Sequence, residues 1–197
     1  MSKNTILIVG LGNPGEQYAN TPHNAGFLVV DNMLKAYGLE FIANKKFKSE
    51  IAEERTGNKK IILAKPLTFM NKSGEAVKAL SSYHKIPPQS VWVINDDVDL
   101  DLGKIKIVKN RGSAGHKGVE DIIRKLKTKD FVRFRIGIRP KRLTVKRSKA
   151  LMNKFVASPV GKSDQAVFKK AIKTCKDAIL LALEESVEKS AGVYNAK

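Results

Sequence analysis

Three apolar runs of this sequence, each with the composition of a buried strand, are followed by the polar residues Asn13, Asn71 and Asp96. Ligands of open α/β sheets bind at the carboxyl ends of the strands, so we expect these three side chains to face one cleft. His23 lies ten residues beyond Asn13 and can reach the same cleft. A histidine with a carboxylate partner is a ready general base, and two carboxamides can hold and polarise a carbonyl group.

The sequence offers no strong nucleophile for this cleft. It contains no Gly-x-Ser-x-Gly motif, and its single cysteine, Cys175, lies in a predicted helix. We therefore expect water to be the attacking group and the reaction to be hydrolysis of an activated acyl bond. Purely structural roles are the alternative interpretation, because Asn13 before Pro14-Gly15 can shape a turn and Asn71 can cap a helix.

A glycine pattern near the N-terminus imitates a dinucleotide-binding fingerprint. Gly10, Gly12 and Gly15 fit G-x-G-x-x-G directly after an apolar run. A nucleotide-binding loop needs a helix that begins within the glycines and runs for several turns, whereas Thr21-Pro22 interrupts this one early. We therefore predict no nucleotide cofactor.

Metal and disulfide chemistry have little support in the composition. One cysteine excludes an internal disulfide, and the three histidines, His23, His84 and His116, are widely spaced, so we predict no metal centre. His84 ends a helix and is interpreted as structural, whereas His116 beside a glycine-rich helix start is a candidate phosphate or substrate contact. Without an 18-residue apolar run or a signal sequence, the chain is expected in the cytoplasm and not at a membrane.

The charge of the chain is strongly positive and unevenly distributed. The net charge is +18, and residues 104–154 contain 18 of the 37 Lys and Arg residues but three acidic residues. Such asymmetry is typical of a protein that binds a polyanion. Nucleic acid is favoured over an anionic membrane, because the basic residues do not lie on an amphipathic helix with a large apolar face.

Alternating strands and helices predict an α/β fold: a single domain over residues 1–197, with a twisted mixed β-sheet and helices on both faces. The final helix is predicted over about 163–189, with Ser163 as its cap. Residues 139–153 lack a clear period and are interpreted as a loop or short helix. The other predicted elements are strands at 6–9, 49–55, 60–65, 91–94, 104–109 and 132–138 and helices at 25–37, 74–84 and 119–126.

Seven short segments carry a resemblance to a known family. They are Ile8-Val-Gly-Leu-Gly-Asn-Pro-Gly15, Tyr18, His23-Asn-Ala-Gly26, Lys65-Pro-Leu-Thr-Phe-Met-Asn-Lys-Ser-Gly74, Asn95-Asp-Asp-Val-Asp-Leu100, Gly115-His-Lys-Gly118 and Phe134-Arg-Ile-Gly-Ile138. In this order they make the chain resemble bacterial-type peptidyl-tRNA hydrolase. The resemblance implies a cofactor-free, monomeric, cytosolic enzyme that cleaves the ester between a peptide and the 3′ ribose of tRNA, which recycles the tRNA of chains dropped by the ribosome.

The resemblance also implies roles for the candidate residues. His23 would activate water, Asp96 would orient the imidazole, and Asn71 would hold the water or the carbonyl. Asn13 would contact the peptide backbone and sense that the first amine is acylated. Tyr18 and Phe69 would line the tRNA terminus, and the acceptor arm would present phosphates to Lys104, Lys106, Lys109, Arg133 and Arg135. Apart from the resemblance, the place of His116 and Lys117 at a helix start makes both candidate contacts to phosphate or substrate.

Two departures from the family accompany the resemblance. Lys117 stands where the family usually has asparagine, and a lysine can grip a phosphate but cannot accept the hydrogen bond that an amide oxygen accepts. Residues 139–154 are also more basic than the family pattern, which predicts tighter and less selective tRNA binding. The alternative function is a non-catalytic, RNA-binding relative of the family; the presence of His23, Asp96, Asn71 and Asn13 together argues against it.

Overall fold

One mixed sheet organises the protein, within residues 4–140 and 149–196, which the computed structural model describes. Its strand order is β2-β3-β4-β1-β5-β7-β6, with β4, β1, β5 and β7 parallel and the outer pairs antiparallel. The strands are β1 (Thr5–Gly10), β2 (Ile42–Asn44), β3 (Ser49–Thr56), β4 (Lys59–Pro66), β5 (Val91–Asp101), β6 (Ile105–Lys109) and β7 (Val132–Arg139).

Helices cover both faces of this sheet. They are α1 (Ala25–Tyr37), α2 (Ser73–Tyr83), α3 (Lys117–Leu126), α4 (Lys149–Val156), α5 (Gln165–Glu184) and α6 (Val187–Tyr194). Val29 and Met33 of α1 and Ile172 of α5 belong to the hydrophobic core on one face. Val77 of α2 and Ile122 of α3 belong to the core on the other face. The predicted α/β class, a mixed sheet between helices, is confirmed.

Glycines near the start of the chain serve packing of the backbone. A Cβ on Gly10 would lie 2.3 Å from the Gly26 carbonyl oxygen, and a Cβ on Gly26 would lie 2.3 Å from the Leu11 nitrogen. The α1 helix therefore lies directly against the end of β1. Because no long helix begins within Gly10, Gly12 and Gly15, the glycine pattern lacks the structure of a nucleotide-binding loop.

The strand β5 is longer than the sequence predicts. An apolar run predicted a strand over 91–94 followed by a loop, but the strand continues to Asp101, and Asp96 and Asp97 pair with Ile136 and Gly137 of β7. The prediction that Asp96 lies beyond the strand is wrong. Pairing with β7 sustains the strand there, although its sequence is acidic.

The C-terminal helix is divided. The prediction of one helix over about 163–189 with Ser163 as its cap is wrong, because α5 ends at Glu184 and a second helix begins at Val187. Ser186 has extended backbone, and its side chain accepts a hydrogen bond from the Lys189 N–H at 3.1 Å. A local serine cap thus begins a second helix after α5.

The basic segment is described in part. Residues 149–156 form α4, which agrees with a short helix there, whereas Arg139 ends β7. Residues 141–148 lie outside the described residues, so the predicted tRNA-binding effect of residues 139–154 remains a prediction.

Candidate active site

A cleft opens where β1 and β5 separate. Their pairing ends at Gly10 and Ile94, after which the Leu11 N–H still donates to the Ile94 carbonyl at 2.9 Å. Beyond this point the chain leaves the sheet, because β1 ends at Gly10, while β5 runs on beside β7. Asp96 is two residues past the separation, so its side chain lies at the floor of the cleft and is 2% exposed.

Two histidines converge on the Asp96 carboxylate. His23 Nδ1 lies 2.8 Å from Asp96 Oδ1, and His116 Nε2 lies 2.9 Å from the same oxygen. His23 belongs to a short 3-10 turn, Pro22–Asn24, that precedes α1, and His116 is the N-cap of α3. The two rings are tilted against each other, with centroids 5.1 Å apart. The structure therefore brings together groups that are 20 and 73 residues from Asp96 in the chain.

The hydrogen bonds fix the tautomers of both rings. An ionised carboxylate only accepts, so His23 Nδ1 and His116 Nε2 each carry a hydrogen. His116 Nδ1 accepts in turn from the Val119 N–H at 3.3 Å, as a neutral ring can. In neutral His23 the Nε2 atom is left as the basic nitrogen. His23 lines the cavity, and its side chain is 13% exposed.

Burial and charge oppose each other at this site. Burial raises the pKa of Asp96, but the charges and hydrogen bonds of His23 and His116 outweigh it and hold that pKa well below the usual range. Burial lowers the pKa of His23, whereas the charge and hydrogen bond of Asp96 raise it above the ordinary value; Lys117 lowers it. Asp96 is therefore ionised at neutral pH and stabilises the imidazolium that forms when His23 takes a proton.

Asn13 is held by three hydrogen bonds. Its backbone N–H donates to Asn24 Oδ1 at 2.9 Å, and its carbonyl accepts from Asn24 Nδ2 at 3.1 Å. Its side-chain Oδ1 accepts from the Met70 N–H at 2.8 Å. Because the oxygen is engaged, the Nδ2 amine is the group that Asn13 can offer to a ligand in the cavity that it lines.

The cleft contains a cavity of about 280 Å³. Most of the predicted site residues line it: Asn13, His23, Phe69, Asn71, Asp96, His116 and Lys117. Asn71 lies in the turn Met70–Lys72 before α2, and Phe69 is 60% exposed at the same turn. The prediction that Asn13, Asn71, Asp96 and His23 share one cleft is thus confirmed by their positions.

Other predicted residues lie outside this cavity. Tyr18 is not among its lining residues. Lys106 and Lys109 are exposed on β6, the edge strand of the sheet. Arg135 is largely buried, and its guanidinium pairs with Asp97.

Arg133 cannot serve as a surface phosphate contact. The alternating pattern of β7 predicted basic residues on an exposed face, but Arg133 is 2% exposed and donates through Nη2 to the Gly112 carbonyl at 2.7 Å. That prediction is wrong, because the 112–118 loop covers this part of β7. Burial lowers the pKa of Arg133 to about 10.

Some lining residues were not anticipated from the sequence. Met152, Asn153, Val156 and Ala157, in and after α4, form one wall of the cavity, and Val98 of β5 adds an apolar contact. The segment around α4 has no clear hydrophobic period, so no local signal placed it over the cleft. The hydrogen bond from His116 Nε2 to Asp96 was not anticipated either, and the contact of His116 with phosphate or substrate stays a prediction.

Among the described residues, His23, Asp96 and His116 form the one group whose side-chain atoms could coordinate a metal ion. The coordinating atoms of His23, Asp96 and His116 all lie within 4.8 Å of one another. However, both ring N–H groups already donate to one carboxylate oxygen, and a metal at His23 Nδ1 would force the hydrogen onto Nε2. The arrangement fits a hydrogen-bonded base better than a metal centre.

Known proteins resemble this chain along nearly its whole length. A sequence profile of the peptidyl-tRNA hydrolase family matches residues 7–197. The peptidyl-tRNA hydrolase of Thermodesulfovibrio yellowstonii is 45% identical over 192 residues, 96% of this chain and 98% of that protein. That of Thermoanaerobacter sp. is 43% identical over 190 residues, 96% of this chain and 98% of that protein.

A solved structure of a peptidyl-tRNA hydrolase has the same fold as this chain. The crystal structure of peptidyl-tRNA hydrolase from Acinetobacter baumannii superposes with a TM-score of 0.90 at 31% identity, covering 98% of this chain and 95% of that one. The fold and the site define the class of the protein, which is an α/β enzyme with a histidine–aspartate pair in a cleft at the end of its sheet. With the profile and the relatives, the chain belongs to the peptidyl-tRNA hydrolase family, whose function is hydrolysis of peptidyl-tRNA.

Proposed function

We propose that this chain hydrolyses the ester of peptidyl-tRNA with a water molecule that His23 activates. The observation that carries the proposal is the bond from His23 Nδ1 to Asp96 at 2.8 Å, which leaves the opposite nitrogen as a base in the cavity. His23 Nε2 takes a proton as the water oxygen attacks the ester carbonyl. The resulting imidazolium then protonates the departing 3′ oxygen of the ribose, so the ring returns to its neutral form.

The two asparagines supply polar contacts for the acyl group. Asn71 holds the water or the carbonyl, and hydrogen bonds to the carbonyl oxygen stabilise the negative charge that develops there. Asn13 donates from Nδ2 to the peptide backbone, because its oxygen is engaged by the Met70 N–H. Such a contact favours a substrate whose first amine is acylated.

The tRNA lies against the basic surface outside the cavity. Phe69, exposed at the cavity rim, offers its ring to stack on the terminal base or ribose, and Tyr18 contacts the RNA beyond the rim. Lys106 and Lys109 on the edge strand bind phosphates without reading sequence. Arg135 contributes less, because Asp97 already neutralises it.

The working form is proposed to be a cytoplasmic monomer without a cofactor, in line with the family resemblance. Among the described residues, no helix is long and apolar enough to cross a membrane. Sedimentation of the purified protein with and without tRNA tests whether it is a monomer. A stable dimer at micromolar concentration would contradict this proposal.

Hydrolysis of paired substrates tests the reaction. N-acetyl-aminoacyl-tRNA and free aminoacyl-tRNA are offered to the protein, to His23→Ala and to His84→Ala, which removes a histidine outside the cavity. We expect cleavage of the blocked substrate and a loss of about 100- to 1000-fold in His23→Ala, the size typical of a removed general base. His84→Ala should keep its activity. Tight tRNA binding without hydrolysis would instead indicate the RNA-binding alternative.

Asn13→Asp tests the amide contact separately. The variant keeps an oxygen that accepts from the Met70 N–H, but it loses the Nδ2 donor and gains a negative charge. We expect the preference for the blocked substrate over free aminoacyl-tRNA to fall. An unchanged ratio of the two rates would remove Asn13 from this role and leave the hydrolytic reaction standing.

Salt dependence tests the basic edge strand. Each of Lys106→Gln and Lys109→Gln should reduce the slope of log affinity for tRNA against log salt by about 0.7 to 0.9, as expected for one lost phosphate contact. Lys189→Gln on α6 is the matched control, because Lys189 lies next to Glu185 at 3.7 Å. Equal slopes for all three variants would contradict the placement of tRNA on β6.

A further inference from the structure

Lys117 is a charged residue of the cavity for which the hydrolytic reaction has no assigned use. Among the described residues that line the cavity, it is the one with a lysine or arginine side chain. Asp97, also in the lining, is paired with Arg135, and no ion pair joins Lys117 to a carboxylate in the described part of the chain. The ionisable groups that share the cavity with His23 are therefore Asp96, Lys117 and His116, whose ring centroid lies 5.1 Å from that of His23, together with the Asp97–Arg135 pair.

Lys117 has an exposed side chain on a backbone that its neighbours hold in place. It is the first residue of α3 and directly follows His116, whose ring is bonded to Asp96. The next residue, Gly118, packs so closely that a Cβ there would lie 2.6 Å from Met70 Sδ. Further along α3, Asp121 Oδ2 accepts from the Gly74 N–H at 2.8 Å and ties the helix to α2. These contacts hold the backbone at the start of α3 beside the cavity.

Two features of the start of α3 contribute positive potential, and the exposed carboxylate of Glu120 in its first turn opposes them. The unpaired N–H groups of a helix N-terminus act as a partial positive charge, and Lys117 adds a full one. Both disfavour a second positive charge nearby, which in this cavity is the imidazolium of His23. Asp96 has the opposite effect, and a base that is too strongly favoured in its protonated form is lost at neutral pH.

We propose that Lys117 is a positioning residue that acts through His23. Its ammonium repels the imidazolium form of His23, keeps the base neutral and so extends hydrolysis to lower pH. The inference rests on the proposed function of His23 as the base. It agrees with the pKa of His23, which burial lowers, Asp96 raises and Lys117 lowers. The other lining residues contributed by α4, Met152, Asn153 and Val156, carry no charge.

The role also gives a physical meaning to the departure at this position. An asparagine offers hydrogen bonds but no net charge, so in a chain with asparagine here Asp96 would act on the histidine without an opposing cation. Lys117 restores neutral imidazole at a lower pH. A phosphate contact by Lys117 would lower KM, whereas repulsion of the imidazolium moves the acid side of the rate profile, so the two roles differ in what they change.

The test compares Lys117→Asn and Lys117→Arg with the unchanged protein. Rates on N-acetyl-aminoacyl-tRNA are measured across pH at low salt, and the His23 ring is titrated by NMR in the free protein. We expect Lys117→Asn to move the acid limb of kcat/KM and the His23 titration to higher pH, with roughly threefold less of its maximal rate retained on the acid side. Lys117→Arg keeps the charge, so its His23 titration and acid limb should lie at the same pH as in the unchanged protein, and added salt should shrink the shift seen in Lys117→Asn.

Three outcomes distinguish failure of the inference about Lys117 from failure of the proposed function. An unmoved His23 titration and acid limb in Lys117→Asn, with a raised KM, would overturn the inference and make Lys117 a phosphate contact. A titration that is unmoved with unchanged kinetics would also overturn it. If the unchanged protein failed to cleave the substrate, the proposed function would fail, while the NMR titration would still decide whether Lys117 repels the imidazolium.

Discussion

Replacement of Asp96 by asparagine separates two effects that the carboxylate has on His23. Asp96 Oδ1 accepts from His23 Nδ1 at 2.8 Å and from His116 Nε2 at 2.9 Å. An asparagine of the same shape keeps an acceptor oxygen for both rings and removes the negative charge. We therefore expect the variant to fold, to lose rate, and to change its pH dependence.

The magnitude follows from the bond that is weakened. A hydrogen bond to a charged group contributes about 1.5–3 kcal/mol, so loss of the charge behind the imidazolium costs roughly 10- to 150-fold in kcat/KM. If the new asparagine side chain turns its amide NH2 group towards His23, the Nδ1 atom of His23 must accept that hydrogen bond, and the ring hydrogen moves to Nε2. The wrong tautomer can cost on the order of 10⁴-fold.

Asp96→Asn should change the pH dependence of kcat/KM in a way that a general loss of activity would not. Asp96 raises the pKa of His23 against the effect of burial, so in Asp96→Asn that pKa falls. The base is active when neutral, so the acid limb of kcat/KM moves to lower pH although the maximal rate is reduced.

The assay is hydrolysis of N-acetyl-aminoacyl-tRNA across pH, with thermal unfolding as a check on the fold. Asp101→Asn is the matched control, since Asp101 ends the same strand, is 59% exposed and pairs with Arg139. Less than threefold loss of rate in Asp96→Asn, or an acid limb that stays in place, would show that the Asp96 charge does not support His23.

Three further predictions concern the pH profile of the unchanged protein, His116 and Gly26. In the unchanged protein, kcat/KM should fall as pH drops through the pKa of His23, at a pH above the ordinary imidazole value of about 6.5, because the pKa is raised; a limb below that value would contradict it. His116→Asn and His116→Ala should both lose about tenfold in rate through the missing donor to Asp96, while only the alanine, which cannot cap α3, should lose about 1 kcal/mol in denaturant unfolding. Gly26→Ala should lower the free energy of unfolding by about 1–3 kcal/mol, because its Cβ meets backbone atoms at 2.3–2.6 Å, whereas Gly192→Ala has open space; equal melting temperatures would count against this packing.

Local patterns were sufficient for the elements that are regular in sequence. The helix predicted over 25–37 matches Ala25–Tyr37, and the apolar run before Asn13 is a buried central strand. The crevice rule for open sheets was enough to place four polar residues in one cleft, since it depends only on where strands end.

The remaining differences arise from long-range contacts. The acidic end of β5 is a strand because β7 lies beside it, and Arg133 is buried because a loop 21 residues earlier supplies its acceptor. The bond between His116 and Asp96 depends on the extended length of β5, so nothing around His116 predicts it. The wall formed by α4 has the same origin, because its place over the cleft is decided by the fold and its own sequence has no clear period.

The position of one hydrogen atom on the His23 ring decides which nitrogen can act as the base. The tautomer is measured directly by NMR on protein with ¹⁵N-labelled histidine, at a pH where the ring is neutral. The proposed mechanism requires a hydrogen on Nδ1, held by Asp96, and a bare Nε2 facing the cavity. A hydrogen on Nε2 in the neutral ring would contradict it, because the nitrogen that should take the proton from water would already carry one.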